Sequence, residues 1–376
     1  MSLFPVYTLY PVELKQGNGC YVVDANGQKY LDLYGGHAVI SIGHSHPHFT
    51  AALKDQIDHL IFYSNSVENH IQEELGRRLT QESGYDDHQL FMVSSGAEAN
   101  ENALKLASFH TGNAEIITYT GSFHGRTTGV VATTDNPNIL PKYGSQLPVH
   151  RLSMNDAEGT EKLLKTRKIA AVIIEGIQGV AGIVVPDDDF LRSLRTLCNI
   201  YNTPLIIDEV QSGFGRTGDF FAHQHSGVQA DIVSCAKGMG NGFPVGGILI
   251  HPKFKARKGM LGTTFGGNHL ACRATLAVLD VLKQENLLSH AKELGEFCIQ
   301  GASQFLPTNQ IKGRGLMIGL DLGQPIADIR KRLIFTHHIF TGSAKNPNVI
   351  RLLPPLNVTK PQLEQFFVAL EHELNS

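Results

Sequence analysis

The 376-residue sequence has no tryptophan, five cysteines and no long apolar run. The missing tryptophan excludes nothing. The cysteines (Cys20, Cys198, Cys235, Cys272, Cys298) are odd in number and far apart, and no CxxC pair occurs. That argues against a disulfide framework or a zinc site and fits reduced thiols. The longest strongly apolar stretch, Ile169 to Ile174, is far short of the ~18 residues a membrane-spanning helix needs. An excess of one charge is lacking too: 32 basic against 35 acidic side chains leave a net charge of −3. Nucleic-acid binders usually show a basic excess, so neither a nucleic-acid nor a membrane partner is expected. The first residues also lack positive charge, with the first lysine at Lys15 and the first arginine at Arg77. A signal peptide needs a basic start and a mitochondrial transit peptide needs arginines, so a cytoplasmic location is expected.

The sequence otherwise has an ordinary globular composition, with hydrophobic residues at 42%, enough for a large core. At ~150 residues per domain, its length suggests two or three domains. Short apolar runs at 89–94, 114–119, 170–175, 204–208, 230–235 and 246–250 alternate with helical stretches. Each run is apolar on both faces, which predicts buried parallel strands joined by helical crossovers, an α/β layer structure. The C-terminal third differs. Amphipathic stretches at 268–305 and 360–374 flank strand-like Leu316–Leu322 and Val349–Leu352, which predicts a smaller α+β domain. The first ~45 residues carry strand and turn signals and could pack on either domain.

Three segments carry chemistry. Ser94-Ser95-Gly96-Ala97-Glu98 follows a predicted strand and opens a helix, with Ser95 and Glu98 at capping-box spacing. It reads as a capped helix or as an anion site at a helix N-terminus. Leu205-Ile206-Ile207-Asp208-Glu209 ends an apolar strand in two acids, where open α/β sheets hold their ligands. Those acids suit a cationic ring nitrogen, a metal or simple capping. Lys237 stands at the end of Asp231–Lys237 among small residues, where it is either solvated or desolvated into a nucleophile. Gly213-Phe214-Gly215-Arg216-Thr217-Gly218 matches GxGxxG, but Asp208 and Glu209 intervene between strand and glycines, so a dinucleotide site is not expected. His44, His46 and His48 have no acid or cysteine beside them in the sequence, and Pro47 breaks the local geometry, so they read as helix-entry histidines on a loop and no metal site is expected.

In order and spacing, these segments resemble the class III aminotransferases, pyridoxal-phosphate enzymes of fold type I. The likeness runs along nearly the whole chain. It includes Gly35-Gly36-His37-Ala38-Val39, Gly43-His44-Ser45-His46-Pro47, Ser122-Phe123-His124-Gly125-Arg126, Ile177-Gln178-Gly179, Asp208-Glu209-Val210-Gln211, Ala236-Lys237 and Thr263-Thr264-Phe265-Gly266-Gly267-Asn268. Within the family the chain looks most like the enzymes that act on acetylornithine. The resemblance implies a large domain over 46–265 with a mostly parallel central sheet, a small α+β domain over 266–376, and residues 1–45 packing with the small domain. It also implies pyridoxal 5′-phosphate as cofactor, a homodimer with a shared active site, and a ping-pong reaction. In that reaction the δ-amine of an N-acylornithine passes to 2-oxoglutarate, as in arginine biosynthesis. N-succinylornithine, ornithine or another ω-amino acid is the alternative donor.

The same resemblance assigns roles. Lys237 would hold the cofactor covalently and shuttle the proton. Asp208 would pair with the ring nitrogen, Gln211 would bond the ring hydroxyl, and Phe123 would stack on the ring, with Val210 beside it. Ser95 and the Gly96 and Ala97 amides would hold the phosphate, joined by Thr264 from the partner subunit. Arg126, Thr263 and Arg351 would bind substrate carboxylates. Two departures stand out. Ala97 replaces a common threonine where only an amide is needed. Val180 occupies the place of an acid that, in ornithine and GABA relatives, pairs with the arginine matched by Arg351.

Overall fold

A computed structural model describes residues 3–144 and 146–375. Its centre is a seven-stranded sheet in the spatial order Gln89–Val93, Gly246–Ile250, Ile232–Cys235, Leu205–Asp208, Ile169–Glu175, Glu115–Tyr119, Val149–Leu152. The five strands from Ile232–Cys235 onward are mutually parallel. Every residue of Ile169–Glu175, Leu205–Asp208 and Ile232–Cys235 is buried, as expected for strands covered on both faces.

The sheet is mostly parallel, as expected, but Gly246–Ile250, whose apolar run reads as a parallel strand, runs antiparallel to both its neighbours. The reason is chain length. Only residues 236–245 separate it from the preceding strand, too few for a helical crossover, which takes a dozen or more. Val149–Leu152 is a further strand without an apolar run, because it lies at the sheet edge and carries His150 and Arg151.

Two four-stranded sheets flank this layer. One orders Leu14–Asn18, Tyr21–Asp24, Lys29–Asp32 and Ile339–Phe340, so the N-terminal meander pairs with a strand from near the C-terminus. The other orders Ile311–Arg314, Met317–Asp321, Val349–Leu352 and Gly342–Ser343. The long stretch 268–305 forms two helices, His269–Gln284 and Leu287–Ala302. Asn286, at φ 52°, makes the left-handed break between them, a conformation asparagine tolerates. No helix among the described residues is long and apolar enough to cross a membrane.

Candidate active site

Register brings three reactive side chains to one edge of the sheet. Glu175 and Asp208 are cross-strand neighbours at the C-terminal ends of adjacent parallel strands. Asp208 also stands beside Ser234, and Lys237 follows two residues after that strand closes at Cys235. Open parallel sheets present ligand sites at this edge. A cavity of about 400 Å³ lies here, and Ser95, Gly96, Ala97, Phe123, Arg126, Asp208, Val210, Gln211 and Lys237 all line it, as do Glu175, Val180 and His124.

Asp208 is 4% exposed and fully engaged. Its Oδ2 accepts from Asn100 Nδ2 at 2.7 Å and pairs with His124 Nδ1 at 2.8 Å, while Oδ1 accepts from Val210 N–H at 3.0 Å. The Asn100 amide also donates to the His124 carbonyl at 2.9 Å, and its oxygen accepts from Ser234 Oγ. Such a network holds one carboxylate conformation. His124 and Asn100 had no role in the sequence reading, although His124 falls inside a quoted motif and Asn100 lies two residues beyond another. Glu175 was missed as well, yet it carries the signal that marked Asp208: an acid closing an apolar strand. It accepts from the backbone N–H of Phe123 at 2.9 Å and of Gly179 at 3.2 Å. Burial pushes its carboxyl up to about 7.

Lys237 has φ 46°, a left-handed conformation rare outside glycine. Burial lowers the pKa of its ammonium, against the pull of Asp208 and Glu175. Strain and a depressed lysine pKa together mark a reactive amine. Ser95 caps the helix Gly96–Thr111, accepting from Glu98 N–H at 3.2 Å. Glu98 reaches past the cap residue to accept from Ser94 N–H at 2.6 Å, a shifted capping box. Gly96 has no room for a side chain, since a Cβ would come within 2.6 Å of Val210 Cγ1. The helix N-terminus is thus bare backbone at the cavity, a cradle suited to phosphate.

Arg351 is buried behind Gln211, with Nη1 at 3.5 Å from Gln211 Oε1. Arg126 is exposed at the cavity rim. Thr263 and Thr264 do not line this cavity. Thr263 lines a separate one of about 830 Å³ with Asn65 and Gln72, and Thr264 is exposed. Glu209, the second acid of its pair, turns elsewhere. It is fully buried, with Oε1 at 2.7 Å from His223 Nδ1 and Oε2 accepting from Ser212 at 2.6 Å.

The glycine loop 213–218 is packing. A Cβ on Gly213, Gly215 or Gly218 would come within 2.8, 2.9 or 3.0 Å of Glu209 O, Leu288 Cδ1 or Lys292 Cβ. Its Arg216 is 2% exposed and donates to the carbonyls of Leu316 and Pro354. His44, His46 and His48 each face a different acid, Asp32, Glu285 and Asp280, at 2.8, 2.8 and 2.9 Å.

The family model for class III aminotransferases matches residues 5–374. The acetylornithine aminotransferase of Bacillus subtilis (strain 168) is 40% identical over 370 residues, spanning 97% of this chain and 95% of that protein. The acetylornithine aminotransferase of Archaeoglobus fulgidus is 38% identical, spanning 99% and 97%. Among solved structures, the ornithine aminotransferase from Toxoplasma gondii ME49 superposes with a TM-score of 0.93 at 28% identity, covering 100% of this chain and 92% of that one. The acetylornithine aminotransferase from Elizabethkingia anophelis gives 0.85 at 30% identity, covering 99% and 96%.

Proposed function

This chain belongs to the class III aminotransferases, and from that premise we propose that it transfers the δ-amino group of N-acetylornithine to 2-oxoglutarate, yielding N-acetylglutamate semialdehyde and glutamate in arginine biosynthesis. The observation that carries the donor is the near-full-length identity of 36–40% to relatives named acetylornithine aminotransferase. Among the structural neighbours the ornithine aminotransferases are 27–28% identical and the acetylornithine aminotransferase 30%, a small margin in the same direction. Ornithine is therefore the second donor to test.

Pyridoxal 5′-phosphate, the cofactor of this fold type I family, supplies a carbonyl for the amine and a ring that accepts electrons from the reacting carbon. The residues at the cavity fit it: a bare helix N-terminus for the phosphate, a buried carboxylate for the ring nitrogen and a desolvated lysine for the carbonyl. Lys237 would hold the cofactor and move the proton at Cδ of the donor and at Cα of glutamate. Asp208, fixed by Asn100 and His124, would keep the ring nitrogen protonated. Phe123, its backbone tied to Glu175, would cover one ring face, with Val210 on the cavity wall. Gln211 Nε2 donates one hydrogen to the His37 carbonyl and keeps a second for the ring hydroxyl. Ser95, Gly96 and Ala97 would hold the phosphate. Arg126 would take the donor's distant carboxylate and Arg351 the carboxylate beside the reacting carbon. Thr263 lies outside this cavity within one subunit, so it would join Arg126 only across the subunit interface, as Thr264 would join the phosphate.

We read the enzyme as a cytoplasmic homodimer. Ile61, Phe62, Tyr63, Val67 and Phe265 are exposed, with Phe62 and Phe265 in ring contact, and Thr264 adjoins them. A grouped apolar surface of this kind suits a subunit interface, across which Thr264 would reach the partner's phosphate. Thr264→Ala should then weaken cofactor retention more than substrate binding, measured by cofactor release on dilution. A panel of N-acetylornithine, N-succinylornithine, ornithine and 4-aminobutyrate with 2-oxoglutarate tests the donor. N-acetylornithine is expected to give the highest kcat/KM, and preference for another donor would overturn the assignment.

A further inference from the structure

Arg351 has an unusual environment for a buried cation. It is 4% exposed, and among the described residues its hydrogen-bond partners are all neutral. Nε donates to the Ser343 carbonyl at 2.6 Å, Nη2 to Tyr34 Oη at 3.1 Å and Nη1 to Gln211 Oε1 at 3.5 Å. Two of these contacts close a ring. Tyr34 Oη lies 2.5 Å from His37 Nδ1, and the His37 carbonyl accepts from Gln211 Nε2 at 3.0 Å. The hydrogens can be placed. Tyr34 accepts from Arg351, so its own hydrogen goes to His37 Nδ1, which requires a neutral imidazole protonated at Nε2. Burial, then Arg351 and Lys237, hold His37 below the usual imidazole range, which favours that neutral form.

The backbone under the ring is built for the purpose. Gly35, Gly36, His37 and Ala38 all have positive φ (53°, 55°, 69° and 63°), although two of them are not glycine. Asp32 pins the turn, with Oδ1 accepting from Tyr34 N–H at 3.0 Å and Gly35 N–H at 2.9 Å. Strain of this sort persists where the surroundings over-determine it. Gln211 lines the cavity and Arg351 lies behind it, so a substrate in the cavity meets the guanidinium past Gln211, whose amide is tied through the His37 carbonyl to Tyr34 and its own contact with Arg351.

We propose that Tyr34 and His37 form a displaceable neutral cap on Arg351 that sets which substrates reach it. The inference rests on the aminotransferase reading above. A substrate with a carboxylate next to its reacting carbon, such as 2-oxoglutarate or glutamate, replaces Tyr34 Oη and Gln211 Oε1 with a bidentate carboxylate. A donor whose reacting amine lies far from its carboxylate binds with the ring closed. The cap is therefore a specificity-determining device, and breaking it favours the α-carboxylate substrates.

The test is Tyr34→Phe, which keeps the ring stacked under Arg351 and removes only the hydroxyl. Binding of glutarate, an unreactive dicarboxylate, to the holoenzyme by calorimetry should tighten about three- to tenfold. The ratio of half-reaction kcat/KM for glutamate over N-acetylornithine should rise by a similar factor. His37→Ala should do the same. His37→Asn keeps a side-chain acceptor and tolerates the left-handed turn, so it should return both readouts to within about twofold of wild type. Unchanged or weaker glutarate binding in Tyr34→Phe overturns the cap while leaving the aminotransferase reading intact. Failure of the wild type to transaminate any of the donors would instead overturn that reading.

Discussion

Asp208 and Arg351 are both buried charges bordering one site, and they are solvated in opposite ways. The carboxylate of Asp208 receives Asn100, His124 and the Val210 amide, and its histidine and asparagine are themselves bonded onward. Both oxygens of Asp208 are engaged in that network, which holds the carboxylate in one conformation. Arg351 receives a carbonyl, a hydroxyl and an amide oxygen, none of them charged. A carboxylate would be a better partner for it than any of these. On the proposed reading, one cavity holds a fixed charge that serves every turnover and a provisional one that changes partners between half-reactions.

The fixed side should break hardest. Lys237→Ala removes the amine proposed to hold the cofactor and to move the proton in both halves of the reaction. Transamination should fall at least ~1000-fold with the protein still folded by circular dichroism. Borohydride reduction of the wild type should attach cofactor to Lys237 alone; an adduct on another lysine would move the site. Asp208→Asn keeps shape and removes charge, so kcat should fall at least ~100-fold. A near-wild-type rate would mean that the ring nitrogen has another partner.

Glu175 lies between these cases, a buried acid whose partners are two backbone amides. Its carboxyl is pushed from 4.5 up to about 7 by burial. A raised carboxyl contributes stability that is complete below its unfolded value and is lost as pH rises through the folded one. Wild-type stability should therefore decline between about pH 4.5 and 7 by roughly 3 kcal/mol relative to Glu175→Gln. Urea unfolding of both proteins across that window checks it, and parallel curves would show that Glu175 does not titrate there.

The contrast between the two sides also explains what could be read in advance. Asp208 and Lys237 were legible because buried parallel strands write themselves as apolar runs, and their C-terminal ends are where chemistry collects. Seven-strand architecture followed from the same runs, except at Val149–Leu152, where an edge position permits His150 and Arg151. The antiparallel turn-back of Gly246–Ile250 was hidden because burial on both faces looks alike in either direction. The cap on Arg351 left no trace at all. Tyr34 and Arg351 are 317 residues apart, and their meeting depends on a left-handed turn that no periodicity announces. Cofactor and substrate roles came from family resemblance, with geometry now supplying the partners.

The smallest expected effect probes the provisional side directly. Val180 lines the cavity without offering a charge, and its carbonyl accepts from the Lys345 amide at 2.8 Å, which fixes the loop that carries it. A glutamate there would extend a carboxylate from the cavity wall toward a guanidinium that now has only neutral partners. It would compete with the substrate carboxylate for Arg351, and so would penalise glutamate and 2-oxoglutarate but leave a donor that does not use Arg351 largely unaffected. A partly solvated pair is worth ~1 kcal/mol, about fivefold. Val180→Glu should therefore raise the ratio of kcat/KM for N-acetylornithine over glutamate about fivefold, the opposite direction to Tyr34→Phe. In the double variant the glutamate would have no hydroxyl to displace, so the two effects should fall short of additive. Single-turnover kinetics with each donor decides the matter: a ratio that stays level or falls in Val180→Glu would mean that the side chain at 180 does not reach Arg351, and that the neutral ring alone governs access to it.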